Sequence, residues 1–263
     1  MSSLLAHLRQ SLRRPDHWVY GSWLDTVTKY RKTHFGLIWM LVPTAVYIWG
    51  IGGYLGALQP GMDTQRFLGH VAVGFVVFRM VMTVFVDATS VFSGSQSFIY
   101  DGNVRLTDFI LRMISRSFYY FLIAQPLLAV AVLGSPDFQW SGVPGSLLGL
   151  AVLMVNLFLY SVLLSLLGAR YPDVGELMAS TMMAAFLVTP IVWYPEGAPE
   201  GTARGVLMRA NPFHHLVASI RAPLLGEGLE PVTVWYLAAM TLIGLIGAIL
   251  AYRTYARRVA LWL

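Results

Sequence analysis

One uncharged apolar run constrains the fold of this chain more than any other stretch. It extends from Leu177 to Tyr194 and contains 18 residues, which is about the minimum length that crosses a bilayer core as a helix. Pro190 lies near its far end, where a proline removes a backbone donor and loosens the last turn. Trp193 and Tyr194 follow, where interfacial aromatic residues are common. The run therefore predicts a membrane-spanning helix, and the plainest version is an ordinary span with a late proline.

Composition extends this interpretation to the whole chain. The sequence has 263 residues, of which 57% are hydrophobic and only 12% are charged, with a net charge of +5. Soluble domains carry about 25% charged residues, so this chain has too few charges to cover a water-facing surface. We therefore predict an all-α integral membrane protein with one transmembrane domain over residues 1–263. The positive charges flank the apolar runs, which favours a membrane over a nucleic acid as their partner.

The apolar runs predict six spans. They cover residues 37–58, 67–92, 109–133, 143–168, 177–194 and 232–251. Residues 1–36 form a cytoplasmic or interfacial segment in this scheme, and residues 252–263 form a cytoplasmic tail. Between the fifth and sixth spans, residues 203–225 are moderately apolar and are interrupted by arginine and proline. This pattern predicts a pair of short re-entrant half-helices, which a membrane tolerates only where protein or water covers their backbone.

An amphipathic helix is predicted before the first span, over residues 16–34. Trp23 and Tyr30 share one helical face, whereas Lys29 and Lys32 fall elsewhere. Such a helix suits the plane of the membrane interface. The alternative is a juxtamembrane linker whose only role is to carry positive charge.

Lysine and arginine residues orient the predicted spans. With the N terminus in the cytoplasm, 13 of the 18 basic residues lie on the cytoplasmic side, four lie outside, and Arg79 lies within the second span. Membrane proteins normally carry such an excess of basic residues in their cytoplasmic loops. We therefore predict that both termini are cytoplasmic.

Two charged residues lie inside the predicted second span. Arg79 and Asp87 are eight positions apart, so a helix places them on roughly the same face. Charges within a span are costly and usually face a cavity or a partner. We therefore predict a functional role for Arg79, the alternative being that both residues lie nearer an interface.

Missing motifs exclude several kinds of chemistry. The chain has no GxxxxGK[ST] loop, no HExxH, no CxxC and no cysteine, which excludes nucleotide hydrolysis through a Walker loop and excludes disulfides. His214 and His215 are adjacent, so on a helix they point about 100° apart and do not readily share one metal ion. We predict no catalytic, cofactor-binding or metal site in this chain, and hence no enzyme.

Four stretches, in order, carry a family resemblance. Residues 22–43 join a basic amphipathic segment to a tryptophan and a proline, and residues 169–196 contain RYPDV and TPIVW. Residues 211–227 contain NPFHHL and RAPLL, and the chain ends in RRVALWL. This ordered set resembles the membrane subunit of ATP-binding-cassette transporters that export O-antigen, capsule or teichoic acid chains on lipid carriers, with the lipopolysaccharide branch favoured. Residues 93–108 depart from the pattern, because a Gly-Asn pair stands where basic and proline character is expected.

The resemblance implies an assembly. Two copies of this chain would form one channel in a bacterial inner membrane, and two copies of a separate ATPase, holding ATP and Mg²⁺, would dock beneath. The substrate would be a lipid-linked polysaccharide such as O-antigen or capsule, in contact with membrane lipid and with no nucleic acid. Residues 93–108 would supply the coupling helix that contacts the ATPase. The predicted contact residues are Ser97, Phe98, Ile99, Tyr100, Asp101, Gly102, Asn103 and Val104.

The resemblance also makes the amphipathic helix a gate for the substrate, where basic side chains attract a phosphate or pyrophosphate headgroup. The predicted gate residues are Trp23, Lys29, Tyr30, Arg31 and Lys32. Aromatic side chains suit a sliding glycan, because sugars offer polar edges and apolar C–H faces. The candidate channel-lining residues are Tyr47, Trp49, Phe75, Phe78, Arg79, Tyr119, Tyr120, Trp193 and Tyr194. For each aromatic residue, lipid contact or core packing is the alternative.

A charged cluster stands at the start of the predicted fifth span. Arg170, Asp173 and Glu176 are spaced by three, so one helix would bring them together. We predict a salt-bridged cluster that fixes the cytoplasmic end of the span.

Two other functional classes stay open from the sequence. One is a permease for drugs or another substrate within the same transporter superfamily. The other is an ion-coupled secondary transporter, in which Arg79 and Asp87 would be the coupling residues. No inverted repeat is detectable in the six spans, which argues against the second class.

Overall fold

The computed structural model describes residues 3–58, 61–102 and 105–263. Within these ranges the chain forms helices and no strand. The helices are α1 (Leu4–Arg13), α2 (Gly21–Tyr30), α3 (Val42–Ala45), α4 (Gly53–Leu58), α5 (Thr64–Ser90), α6 (Gln96–Tyr100), α7 (Leu106–Leu133), α8 (Val143–Arg170), α9 (Val174–Val188), α10 (Ala203–Ala210), α11 (Pro212–Leu224), α12 (Pro231–Tyr255) and α13 (Val259–Trp262). Short 3-10 and π turns join several of them.

Five helical segments are long and apolar enough to cross a membrane. They are Gly36–Leu58, Thr64–Ser90, Leu106–Leu133, Trp140–Arg170 and Pro231–Trp262. The first comprises α3 and α4 with their adjoining 3-10 and π turns, and the other four contain α5, α7, α8 and α12. For the described residues, these segments confirm the prediction of an all-α, multi-pass membrane protein.

Helix α9 is shorter than the predicted fifth span. It ends at Val188 after 15 residues, a length of about 22 Å against a hydrocarbon core of about 30 Å. Thr189 takes an extended conformation with ψ 131°, because the ring of Pro190 disfavours helical geometry in the preceding residue. The expected disruption at Pro190 is therefore present, but it ends the helix completely, and residues 189–194 bend instead of continuing an ordinary span to Tyr194.

Helix α5 lies at the centre of the molecule, where it packs against α7, α8, α9 and α11. Close backbone contacts hold α8 against two of its neighbours. A Cβ atom added at Gly168 would lie 1.8 Å from the Thr89 carbonyl oxygen of α5. One added at Gly149 would lie 2.3 Å from the Ser219 carbonyl oxygen of α11. Both distances are far inside van der Waals contact, so these two crossings require glycine.

The predicted pair of half-helices corresponds in sequence to α10 and α11. Asn211 separates them and caps α11, since its side-chain oxygen accepts a hydrogen bond from Phe213 N at 3.0 Å. Helix α11 is buried along most of its length, although it carries two histidines and Arg221. It packs against α5, α8 and α12, so this connection contributes to the core.

The helix before the first span is shorter than predicted. A π turn over Asp16–Tyr20 continues directly into α2, which ends at Tyr30, and the chain turns through residues 31–35. Helix α2 packs along α7, where the rings of Trp23 and Tyr119 meet edge-on with centroids 5.3 Å apart. One face of α2 is therefore attached to the body of the protein.

Candidate functional site

A charged cavity lies between α2, α3, α5 and α7, and we call it the α2 cavity. Its volume is about 400 Å³. The charged side chains that line it are Asp25, Lys29, Arg79, Asp87 and Arg116. Tyr30, Thr44 and Tyr120 add hydroxyl groups. The cavity thus combines cations, carboxylates and phenols at the junction of the N-terminal helix with the central helix.

Both carboxylates of the α2 cavity are paired with arginines of α7. Arg112 donates two hydrogen bonds to Asp25, at 2.7 and 2.8 Å. Arg116 donates one to Asp87 at 2.8 Å. Asp87 therefore pairs with Arg116 and not with Arg79, although the sequence places Arg79 on roughly the same helical face.

Arg79 has a different environment from these two arginines. Its Nη1 atom donates to the hydroxyl of Thr44 at 3.0 Å, and no ion pair among the described residues includes it. It lies 15 residues after Thr64 and 11 before Ser90, the two ends of α5. A charge at this depth of a span is costly unless it faces a cavity or a partner, and Arg79 faces the α2 cavity.

Lys29 also lines the α2 cavity and, like Arg79, forms no ion pair with a described carboxylate. Its ammonium group lies 5.7 Å from the ring centroid of Tyr30 and 5.9 Å from that of Tyr120. Burial, with a smaller contribution from Tyr120, raises the pKa of Tyr30, so its hydroxyl stays protonated and is able to donate a hydrogen bond. Arg31 and Lys32 are exposed in the turn after α2 and are not among the lining residues.

A groove of about 780 Å³ continues from the α2 cavity. The two spaces share Asp25, Lys29, Asp87 and Arg116. The groove extends along α7 and reaches Phe98 on α6. It therefore connects the predicted gate with the predicted coupling segment.

The predicted coupling residues that the structure describes lie in α6 or in the turn after it: Ser97, Phe98, Ile99, Tyr100, Asp101 and Gly102. Phe98 and Tyr100 are 55% and 56% exposed, so both rings are accessible to a partner. Asn103 and Val104, the last two predicted contact residues, lie outside the described residues.

The predicted channel-lining residues do not meet in one cavity of the single chain. Phe78 is 1% exposed and packs against the rings of α9 and α11, so it belongs to the core and not to a channel wall. Tyr47 stacks on Phe75 with ring centroids 3.8 Å apart. Trp49 is 38% exposed.

The remaining aromatic residues of that set divide between two places. Tyr119 packs on α2 and Tyr120 lines the α2 cavity. Trp193 and Tyr194 line a separate pocket of about 560 Å³, together with Leu187 and other apolar residues. The α2 cavity thus collects only part of the set.

A second charged group, which the sequence did not predict, lies near the other end of α5. One oxygen of Glu227 accepts a hydrogen bond from Arg221 Nε at 2.9 Å, and the other lies 2.8 Å from His70 Nδ1. Arg221 is 1% exposed and also donates to the Pro190 carbonyl oxygen at 2.5 Å. We call these residues the Arg221 cluster. It fastens the bend after α9 to both α11 and α5.

The Arg221 cluster is internally neutralised. Burial alone would raise the pKa of Glu227, but the hydrogen bond with His70 and the charge of Arg221 outweigh burial and lower that pKa to about 2. The carboxylate is therefore ionised at physiological pH and balances the arginine. A lone arginine inside an apolar helix, with an acid six positions later, was the only sequence signal for this pair.

The predicted cluster of Arg170, Asp173 and Glu176 is not formed. Helix α8 ends at Arg170 and α9 begins four residues later, because Pro172 interrupts the helix. No ion pair among the described residues joins the three. Arg170 instead lies 5.7 Å from the ring centroid of Trp262 in α13.

The fold and these sites define a multi-pass α-helical membrane protein with an open charged cavity and a closed charged cluster along its central helix. Comparison with protein-family models and with curated proteins finds no match to this chain.

Proposed function

We propose that this protein is the membrane subunit of an ATP-driven exporter of lipid-linked polysaccharide in a bacterial inner membrane. The α2 cavity is the observation that carries the proposal. Beneath an amphipathic helix it presents Lys29 and Arg79 beside the rings of Tyr30 and Tyr120. Such cations attract an anionic headgroup, and aromatic faces suit sugar rings. The order of the four family-like stretches supports the same class.

In this proposal the chain crosses the membrane six times. The additional crossing consists of α9 and the bend at residues 189–194, and α10 and α11 form a re-entrant pair. The burial of α11 by α5, α8 and α12 supports this arrangement, because interrupted backbone at membrane depth needs cover from protein. The excess of basic residues on one side of the spans supports cytoplasmic termini.

A separate ATPase supplies the energy in this proposal. Two copies of it hold ATP and Mg²⁺ and act on two copies of this chain, which has no Walker loop of its own. The exposed rings of Phe98 and Tyr100 support α6 as the contact. The groove between α6 and the α2 cavity gives that contact a route to the substrate site.

The geometry is less favourable to an ion-coupled transporter. Coupling by a carboxylate needs one that is free to take up a proton or a cation. Asp87 and Asp25 are both held by arginines at 2.7–2.8 Å. The α2 cavity therefore favours an anion over a cation.

Loss of export tests the proposed function directly. Deletion of the gene should leave lipid-linked glycan inside the cell while its synthesis continues, and a plasmid copy should restore surface glycan. We would measure surface polysaccharide by immunoblot and the retained fraction by solvent extraction. Unchanged surface polysaccharide in the deletion strain would reject this function, and a gain of drug sensitivity instead would favour a drug exporter.

The ATPase contact has its own test. We expect Phe98→Ser combined with Tyr100→Ser to abolish co-purification with the ATPase subunit, because both rings are exposed on α6. Trp140→Ser is the matched control, since Trp140 is 74% exposed in the connection between α7 and α8. Wild-type recovery of the ATPase with the α6 double variant would exclude α6 as the coupling contact.

A further inference from the structure

We propose that Lys29 and Arg79 together form a binding site for a phosphate or diphosphate group inside the α2 cavity. This inference rests on the proposed function, to which it adds the residues that hold the charged head of the substrate. It also separates Lys29 from Arg31 and Lys32, which the sequence had grouped as one basic trio.

The charges around the α2 cavity leave a positive surplus. Both of its carboxylates are held by Arg112 and Arg116. Lys29 and Arg79 then remain as two cations that no described carboxylate neutralises. Arg79 is half-buried within a span, where a cation normally faces a charged partner or a cavity, and an anion that enters the α2 cavity would be that partner.

The donor chemistry of these two residues suits a phosphate group. A guanidinium carries five N–H donors in a planar fork, and Arg79 uses one of them on Thr44. The fork is suited to two oxygens of one phosphate, and such charge-assisted bonds are short and strong. Lys29 supplies a compact second charge from another helix. The protonated hydroxyl of Tyr30 offers a further donor at the same cavity.

The size and position of the cavity agree with such a ligand. A volume of about 400 Å³ corresponds to roughly 13 water molecules at about 30 Å³ each, which accommodates a diphosphate with part of its hydration. Arg79 is 11 residues from the α6 end of α5, or about 16 Å along the helix. A group that binds there lies between α2 and the helices α3, α5 and α7. A lipid headgroup or a free phosphate compound offers the same chemistry.

The test measures binding to the purified full-length chain with two probes. One is inorganic pyrophosphate, titrated against the protein in detergent by calorimetry. The other is geranylgeranyl pyrophosphate in phosphatidylcholine nanodiscs. We expect both probes to bind the wild type, and we expect Lys29→Gln and Arg79→Gln each to weaken binding by about tenfold or more.

A matched control removes charge without touching the cavity. Arg31→Gln combined with Lys32→Gln deletes two cations beside Lys29, yet we expect it to weaken binding by less than about threefold, because neither side chain lines the α2 cavity. Lys29 is itself exposed, so Lys29→Gln keeps the fold and the test does not depend on Arg79→Gln alone. The proposal is overturned if neither probe binds, if neither single variant weakens binding, or if the control weakens it as much.

The two probes also identify the source of the phosphate. Binding of the prenyl probe at least about tenfold tighter than pyrophosphate indicates a lipid headgroup, and equal binding indicates that a free compound suffices; both results support the site. Dependence on Arg79 together with intact glycan export in the deletion strain would keep the site and reject the proposed function. Lost export in the deletion strain, together with unaltered binding by the Lys29→Gln and Arg79→Gln variants, would support the proposed function and reject the phosphate site.

Discussion

Two arginines of the central region have opposite surroundings. Arg221 is almost completely buried, and Glu227 and the Pro190 carbonyl oxygen accept its hydrogen bonds. Arg79 is half-buried beside a cavity, and the hydroxyl of Thr44 accepts the one side-chain hydrogen bond described for it. Arg79 belongs to α5 itself, whereas Arg221 belongs to α11 and is linked to α5 through Glu227 and His70.

This contrast separates a structural charge from a binding charge. A buried ion pair fixes the elements that it joins, because removal of one partner leaves the other uncompensated. A cation that opens onto a cavity has no such internal partner, so its loss affects a ligand more than the fold. We therefore expect stability to depend on the Arg221 cluster and substrate binding to depend on Arg79.

The largest effect should follow removal of the Glu227 carboxylate. Glu227→Gln leaves the charge of Arg221 buried without a counterion, and we expect the free energy of unfolding to fall by about 3–5 kcal/mol. Denaturation of the purified protein in detergent measures this change. Glu196→Gln is the control, because Glu196 is an exposed acid of the same region. Equal stability of the two variants would show that the cluster does not fasten the bend after α9.

Acid should weaken the same cluster. The pKa of Glu227 is lowered from 4.5 to about 2 in the folded protein, so the unfolded chain takes up its proton first as the pH falls. The contribution of Glu227 to stability is complete above about pH 4.5 and is lost as the pH falls towards about 2, with a total of about 3 kcal/mol. Over this range, the melting temperature should fall more steeply with decreasing pH for the wild type than for Glu227→Gln. Parallel pH profiles would contradict the assignment.

A smaller effect on stability is expected at Arg79. Arg79→Gln breaks one hydrogen bond to Thr44 and leaves no carboxylate unpaired, so we expect the free energy of unfolding to fall by about 1 kcal/mol at most. The same denaturation assay measures it, with Glu227→Gln as the reference. A loss as large as that of Glu227→Gln would make Arg79 a structural residue and remove the contrast between the two arginines.

The smallest effect is expected at the rim of the α2 cavity. Asp25 and Arg112 are 38% and 39% exposed, so solvent screens their pair and it contributes about 0.5 kcal/mol despite its two hydrogen bonds. A double-mutant cycle with Asp25→Asn and Arg112→Gln isolates this energy. A coupling well above 1 kcal/mol would mean that α2 is fixed on α7 much more firmly than its exposure indicates.

The long helices were predictable because each is an apolar run bounded by polar residues, as for α5 and α8. The end of α9 was partly predictable, since Pro190 was expected to loosen its last turn, but the run of apolar letters beyond it concealed that the helix stops at Val188. Local sequence decides these features. The extent of a helix and its end depend on residues that are neighbours along the chain, and these neighbours can be read from the sequence.

The charge partners were less accessible to prediction. His70 and Glu227 are 157 positions apart, and their contact depends on how α5 meets the connection after α11. Asp87 was expected to share a face with Arg79, yet it pairs with Arg116 on α7, because the packing of two helices decides which cation lies nearer. Spacing along one helix does not contain that information.

The glycine crossings of α8 have a consequence for motion. Because Gly168 and Gly149 bring its backbone against α5 and α11, we expect these three helices to move together as one block. In the most apolar 18-residue stretch of Gly36–Leu58, 22% of the residues are buried, against 67% in the corresponding stretch of α5. A short turn joins α2 to Gly36–Leu58. Any opening that admits a large molecule should therefore occur as a swing of α2 and Gly36–Leu58 away from this block, with the α2 cavity at the hinge line.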